Sequence, residues 1–394
     1  MAVQNVSPKP LVLIIPKWWP DAVRFHHGIY IQKHVIAVEP WVRPTCLHVD
    51  EADLVDGMST NDGILTASLS LKNNRRNVAK LLDNLAAYRK GFRMIRRAAG
   101  TPRLTHAQVL LKPALVARWL KLTRAIPYII SEHWSGYITG EYQKLSRWKR
   151  WLTRSVVRGA SVVITPSRRL RDAMIACGLK GNYEIVPNIV EPVTAETVER
   201  TDDKIRMMNI GDLWDDKKNI SGLIRAVAAV SKNDPRFELH LFGDGRDREM
   251  LLSLARELAV LDKHVLYHGE LPNKEVYEFM KTIDFYVTSS HVETFSIATA
   301  EAIACGKPVI ATDCGGPSDF VTSEVGMLIP VDDQEALEQA ILKMGSTFSS
   351  YRADVLMKYA ADRFSYDAVG EKLAAIYSRV LKRPLERERL GVVK

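Results

Sequence analysis

Two glutamates, Glu293 and Glu301, stand with seven residues between them in "SSHVETFSIATAEAIACGKPVIATD" (289–313). Ser296 is a residue type that caps helices, Gly306 one that ends them, and Pro308 forbids continuation, so the pattern predicts a helix over "SIATAEAIACG". Glu293 then lies on the loop between the strand "DFYVTSS" (284–290) and that helix, and Glu301 lies about a turn and a half inside it. A helix start offers unpaired N–H groups that favour phosphate. The small residues Ser296, Ala298, Thr299 and Ala300 let a ligand approach the backbone. Carboxylates accept hydrogen bonds from hydroxyls, in which sugars and ribose are rich. The chemistry implied is a phosphate held at the helix start with a carboxylate on each side. The plainer alternative is one acid on an exposed loop and one on a solvated helix face. Against it, Glu301 is the one charged residue of its helix, whereas a solvent-facing side normally carries more charge.

Other chemistry-bearing groups are scattered along the chain. Lys217 and Lys218 in "NIGDLWDDKKNISGLIRAV" (209–227) can place a compact positive charge on phosphates, or form a solvated surface pair. Gly243 and Gly245 in "LFGDGRDREML" (241–251) permit a backbone path that β-carbons would block. His133 stands just beyond a buried strand in "YIISEHWSGY" (128–137), as a ligand contact or as a hydrogen-bonded structural histidine. His26 and His27 lack metal-like partners and read as surface residues. Cys46, Cys177, Cys305 and Cys314 have no C-x-x-C spacing, which argues for free, buried thiols rather than disulfides or zinc, and for a reducing cytoplasm.

These groups need elements to hold them. A chain of 394 residues predicts two domains. Apolar runs expected as strands are 11–16, 127–132, 161–166 and 183–187 in the first half. In the second half they are 205–211, 237–243, 265–269, 284–290 and 308–313. Helical stretches such as 221–232 and 247–260 separate them. Strands apolar throughout and alternating with helices imply parallel sheets covered on both faces, hence two doubly wound α/β domains. The polar, acidic segment 190–206 marks the break, and 365–383 reads as a C-terminal helix. No apolar run reaches the length of a membrane span, and the N-terminus lacks the features of a signal peptide. Between Leu71 and Gly159, 20 Lys and Arg stand against three acids, leaving 35 basic and 43 acidic residues elsewhere. Such a concentrated positive segment seeks a polyanion: lipid headgroups, a diphosphate carrier or nucleic acid. Within it, "EYQKLSRWKRWLTRSVVRG" (141–159) reads as a basic amphipathic helix. Its Arg147, Trp148, Lys149, Arg150 and Trp151 either face an anionic membrane or leave the apolar residues to pack on the sheet.

The stretch from Glu293 to Gly316, with "GKPVIATDCGG" after the second glutamate, resembles the donor-site motif of the retaining glycosyltransferases of family 4, and "EHWSGY" is similar to their bacterial polysaccharide-assembly branch. The resemblance extends over most of the chain. It implies the GT-B architecture, two Rossmann-like domains facing each other across a cleft. Residues 1–195 would form the acceptor-side domain and 196–369 the nucleotide-sugar-binding domain, with a terminal helix at about 370–394 packing back on the first. It implies transfer of a hexose or related sugar from a UDP- or GDP-sugar to a glycan or lipid-linked saccharide in cell-surface polysaccharide synthesis. The alternatives are a degenerate nucleotide-sugar-binding protein and another GT-B enzyme such as a nucleotide-sugar epimerase.

By the same resemblance Glu293 and His133 face the donor sugar, Lys218 (or Lys217) meets the diphosphate, and Glu301 meets the ribose. Backbone amides around Phe295, Ser296 and Ile297 meet sugar and diphosphate. Gly243 lies beside the nucleotide, and Asn188 near the cleft. Gly28 belongs to the acceptor-side glycine loop, where Trp18 and Trp19 are acceptor platforms or packing aromatics. Asp212 replaces the arginine usual in the family after the glycine. His106 stands where many members have His-x-His, with Gln108 in place of the second. No cofactor and no metal are expected, no nucleic acid is expected as a partner, and the expected location is cytoplasmic, peripheral to the inner face of the plasma membrane.

Overall fold

The computed structural model describes residues 8–20, 28–50, 56–71, 78–191 and 202–388. His26, His27 and most of the expected interdomain break lie outside these. The chain divides into two compact units. The first runs to Pro166 and adds Arg171–Ile189 and the chain from Tyr366 on; the second is Ser167–Leu170 and Val190–Ser365.

In the first unit the described strands are β1 (Leu11–Pro16), β2 (Arg43–Asp50), β3 (Gly57–Asn61), β4 (Ile64–Ser70), β5 (Leu104–Gln108), β6 (Tyr128–Ser131), β7 (Val162–Thr165) and β8 (Tyr183–Ile185). They form one sheet in the order β3-β4-β2-β1-β5-β6-β7-β8. All pairings are parallel except β3 with β4. The second unit holds β9 (Ile205–Ile210), β10 (Phe237–Phe242), β11 (Val265–Gly269), β12 (Phe285–Thr288), β13 (Val309–Thr312) and β14 (Gly326–Ile329). Its order is β11-β10-β9-β12-β13-β14, all parallel.

Strands β1, β6, β7, β12 and β13 are buried on both faces, which is why they read as unbroken apolar runs. In β1, Val12 and Ile14 pack against helices Ile29–Val38 and Tyr366–Leu381, while Leu13 and Ile15 pack against helices Val78–Ala99 and Lys112–Arg124. In β12, Phe285 and Val287 face one core of the second unit and Tyr286 the other. Helix Tyr366–Leu381 lies against Ile29–Val38 so closely that a β-carbon on Gly370 would sit 2.3 Å from the Ala37 carbonyl oxygen.

Five strands do not appear among the expected apolar runs: β2, β3, β4, β5 and β14. In β2 and β5 the run is broken by polar residues that are nonetheless buried, Thr45 and His48 in one, Thr105, His106 and Gln108 in the other. The predicted single helix over 141–159 is two pieces, a 3-10 turn Glu141–Lys144 and an α-helix Arg147–Gly159. Ser146 restarts it by accepting a capping hydrogen bond from the Lys149 amide. No described helix is long and apolar enough to cross a membrane, and all four cysteines are free and buried.

Candidate active site

The acidic loop of the second unit is built by hydroxyls. After β12, Ser289 donates to the carbonyls of Lys218 (3.1 Å) and Asn219 (2.8 Å), tying two loops together. Thr312 Oγ1 donates to the Ser290 carbonyl at 2.5 Å, and Ser290 Oγ donates to Glu293 Oε1 at 2.9 Å. Behind the acid, the loop after β13 comes close enough that only glycine fits. A β-carbon on Gly315 would lie 2.5 Å from the Glu293 carbonyl oxygen, and one on Gly316 would lie 2.2 Å from Phe295 Cα. The "GG" of "CGG" is therefore a packing requirement of the loop that carries Glu293.

Lys218 completes this group. It ends a short turn, Asp215–Lys218, and Asn219 follows in the left-handed region, accepting a hydrogen bond from the Gly222 amide to start helix Ile220–Asn233. The Lys218 ammonium donates to Glu293 Oε1 at 2.6 Å, and the two side chains keep 26% and 13% of their exposure. Burial works to lower the Lys218 pKa, but the Glu293 carboxylate, with Asp212 adding to it, raises it on balance, so the ammonium stays charged. Lys217 instead lies over the Trp214 ring at 4.8 Å, which decides between the two lysines for contact with Glu293. Asp212, in place of an arginine, adds negative charge beside Lys218. Arg246 also lies by Trp214, 5.5 Å from its ring, and is paired with Asp216 at 2.5 Å.

The glycine turn after β10 packs on the same loop. A β-carbon on Gly243 would be 2.0 Å from the Gly211 carbonyl oxygen, and one on Gly245 would be 2.6 Å from that of Leu213. Gly243→Ala, at φ 113°, is expected to cost at least about 3 kcal/mol or to prevent folding of the second unit. Urea unfolding checks this, and in it Gly57→Ala, which meets nothing within 4 Å, should be close to neutral.

Helix Ile297–Ala304 starts differently from the expected capping pattern. Ser296 sits in the left-handed region (φ 73°) and its side chain makes no capping bond; its hydroxyl pairs with Thr299 Oγ1 at 2.7 Å. The helix start thus has no side-chain cap, and a non-glycine residue held at positive φ is the kind of strain found at binding sites. Phe295 is a core residue, its ring among those of Phe320 and Phe364, so only its backbone is available to a ligand. Thr299 and Ala300 are buried as well. One turn on, Glu301 Oε1 accepts a 2.6 Å hydrogen bond from the Tyr277 hydroxyl of helix Asn273–Met280. Burial and that carboxylate hold the Tyr277 phenol firmly protonated.

The first unit carries its own polar cluster beyond β6. Glu132 is buried and accepts from the amides of Leu110 (2.8 Å), His133 (2.9 Å) and Trp134 (3.0 Å); burial raises its pKa although these bonds oppose the rise. This brace sets the backbone at His133. The His133 ring meets Tyr30 edge-on at 4.8 Å and keeps some surface, yet its Nε2 is buried without a hydrogen-bond partner. His106 is a structural histidine, bonded to the Tyr377 hydroxyl (2.7 Å) and Ser131 (2.8 Å). Burial lowers the pKa of His34 to about 4 and those of His106 and His133 to about 3. Asn188 is buried, with its Oδ1 unpartnered. Gly28 starts its helix at φ 75° against the Trp18 backbone, where a β-carbon would sit 2.4 Å from the carbonyl oxygen. Trp19 is 3% exposed in the core and cannot serve as a platform, whereas Trp18 is half-buried with Lys17 over its ring at 4.3 Å.

The family described as "Glycosyl transferases group 1" matches residues 196–350, and the "Glycosyl transferase 4-like domain" matches 18–189. The first falls on the second unit, and the second, apart from Ser167–Leu170, on the first. The chain belongs to the GT4-type glycosyltransferases of the GT-B fold. Among solved structures it is similar to a sucrose-phosphate synthase from Thermosynechococcus elongatus, with a TM-score of 0.76 and 17% identity over 95% of this chain and 100% of that one. It is also similar to HepE of Anabaena, solved in complex with UDP, with a TM-score of 0.72 and 17% identity over 94% and 100%. A curated relative is the alpha-monoglucosyldiacylglycerol synthase of Streptococcus pneumoniae, 26% identical over 53% of this chain and 51% of that protein. The chain thus spans about half the length of that relative in the match.

The structure brings Glu293 and Lys218 into contact and puts Gly243 on the adjoining loop. Ser290, Tyr277 and Glu132 escaped sequence reasoning. Ser290 and Glu132 follow strand ends, which is a usable signal. Tyr277 has none, because its pairing with Glu301 comes from the packing of two helices distant in sequence.

Proposed function

We propose that this protein transfers a hexose or related sugar from a UDP- or GDP-sugar to a glycan or lipid-linked saccharide of a cell-surface polysaccharide, retaining the anomeric configuration. The observation that carries the reading is the ammonium of Lys218 held 2.6 Å from Glu293, on the loop that leads into a helix start without a side-chain cap. That group offers a cation and N–H donors to a diphosphate. The UDP bound to HepE supports the donor class, and the lipid product named for the pneumococcal relative supports a lipid-linked acceptor.

In this reading the bond from the sugar's anomeric carbon to the diphosphate oxygen breaks, and a bond to the acceptor oxygen forms on the same face. The departing phosphate takes the acceptor's proton. Lys218 and the amides around Phe295, Ser296 and Ile297 stabilise the charge that develops on the diphosphate. Glu293, whose Oε1 is held by both Lys218 and Ser290, is a poor nucleophile and serves to hold the sugar's hydroxyls. His133 is assigned to the sugar, and Gly28 and Trp18 to the acceptor side. Glu301 receives the ribose hydroxyls, oriented by Tyr277.

The test is calorimetric titration with a panel of nucleotide-sugars, followed by donor-dependent release of UDP or GDP. Glu301→Ala should lower donor affinity about tenfold or more and Tyr277→Phe about fivefold. With a 2′,3′-dideoxynucleotide diphosphate the three proteins should bind alike. A persisting difference would remove Glu301 from the ribose. Binding without release, with acceptors of both classes supplied, would favour the degenerate-binder reading that Asp212 invites.

A further inference from the structure

Helix Arg147–Gly159 of the first unit is anchored by Thr153, Val156 and Val157, which are buried. Its other side carries Trp148 and Trp151, 62% and 58% exposed, their rings stacked at 5.2 Å and 22°. Residues three apart share a helix face, and the core packing of the helix does not use these two. Around them Arg147, Lys149 and Arg158 are exposed, and the sequence from 142 to 159 contains no acid. The neighbouring helix Lys112–Arg124 lies alongside, since Arg118 donates to the Ser155 carbonyl (2.6 Å) and Lys121 to that of Gly159 (2.8 Å). It too has no acid, and it exposes Leu122 at 73% together with Arg124. Arg89, 5.6 Å from the Trp119 ring, links the next helix, Val78–Ala99, whose last turn holds Arg96 and Arg97.

We propose that this three-helix face docks the protein on an anionic lipid bilayer, with the Trp148–Trp151 pair seated among the headgroups. Indole rings partition to the membrane interface because one part is apolar and the N–H is polar, and a cationic surround is drawn to negative headgroups. Nucleic acid fits less well: the two indoles stack on each other and leave no gap between them for a base to enter, and Leu122 has no function against a phosphate backbone. A second copy of the chain fits less well again, because a self-matching contact would press cations against cations. The lipid-linked acceptor proposed above gives the surface a use, and to that extent the inference rests on that reading; the binding test does not require transfer.

The full chain is sedimented with phosphatidylcholine vesicles containing about one-third phosphatidylglycerol, and with pure phosphatidylcholine, in 0.15 M salt. The expected result is binding to the anionic vesicles only, with a blue shift in tryptophan emission and weaker binding as salt rises. Arg147→Ala with Lys149→Ala should reduce partitioning about 30-fold, as about 1 kcal/mol for each cation near the surface implies. Trp148→Ala with Trp151→Ala should reduce it about tenfold and remove the blue shift. Neither pair should alter the thermal midpoint or donor affinity, which separates failure of this inference from failure of the transferase reading. Absence of vesicle binding by the folded wild type would overturn it. So would duplex DNA binding as tight as vesicle binding and indifferent to the tryptophans, or self-association abolished by their removal in the absence of vesicle binding.

Discussion

Lys218→Met should lower kcat about 100- to 1,000-fold with a smaller change in donor affinity, measured as donor- and acceptor-dependent nucleotide release. The ammonium is the one cation in direct contact with Glu293 among the described residues, and removing one preorganised donor from a site of developing charge has an effect of that size. The substitution also leaves Glu293 facing a methyl group. A fully buried unpaired charge costs about 3–5 kcal/mol, but Glu293 keeps 13% of its exposure and its hydrogen bond from Ser290, so a loss of about 2 kcal/mol in urea unfolding is expected. Adding Glu293→Gln to Lys218→Met should recover most of that stability without recovering turnover, since the charge to be stabilised belongs to the substrate. Lys218→Arg should rescue stability better than rate, because a planar guanidinium does not occupy the position of a compact ammonium. Turnover within about threefold of wild type in Lys218→Met would move the diphosphate contact elsewhere, with Arg246 beside Trp214 the residue to test next.

The first unit should lose stability steeply in mild acid. His34, His106 and His133 are held neutral by burial, with pKa values lowered to about 4, 3 and 3. In the unfolded chain they protonate near 6.5. The unfolded state therefore binds more protons, and stability is full above pH 6.5 and falls as pH drops towards 4. Each such group contributes a slope of about 1.4 kcal/mol per pH unit. Counting His34 and His106 in full and His133 in part, because its ring keeps some surface, the slope is about 3 kcal/mol per unit between pH 6 and 4. Glu132 works in the opposite direction: its raised pKa means the folded state takes up that proton first, which offsets part of the loss at the acid end. Urea unfolding from pH 7.5 to 4.5 measures this. His106→Gln should flatten the slope by nearly half, and an unchanged slope would show that imidazole protonation does not set the acid limit.

How much of this was legible in advance depends on the kind of interaction. Strands such as β1, β9, β12 and β13 bury both faces under helices, so period-2 alternation between two cores appears as a plain apolar run. β2 and β5 lie inside a sheet yet carry buried Thr, His and Gln, some tied by hydrogen bonds such as Thr45 to the Val12 carbonyl and His106 to Tyr377, and these break the pattern on which the reading depends. Ser296 has the right type for a cap and does not act as one, because its backbone is turned to positive φ and its hydroxyl finds Thr299 instead. Trp18 and Trp19 are identical in type and adjacent. Only packing separates the one buried in the core from the one that keeps part of its surface.

By itself, the sequence determined two parallel α/β units, the family, and the spacing of Glu293, Glu301, Lys218 and the glycines. These are properties of local periodicity and of residues close along the chain, where spacing alone implies geometry. The tertiary structure decided that Lys218 and not Lys217 meets Glu293, that Tyr277 holds Glu301, that Glu132 braces the backbone at His133, and that Trp148 and Trp151 stack in solvent. Each of these depends on which side a chain turns and what comes to lie beside it. Lys218 and Glu293 are 75 positions apart, and only the pairing of β9 with β12 carries the two loops to the same edge of one sheet.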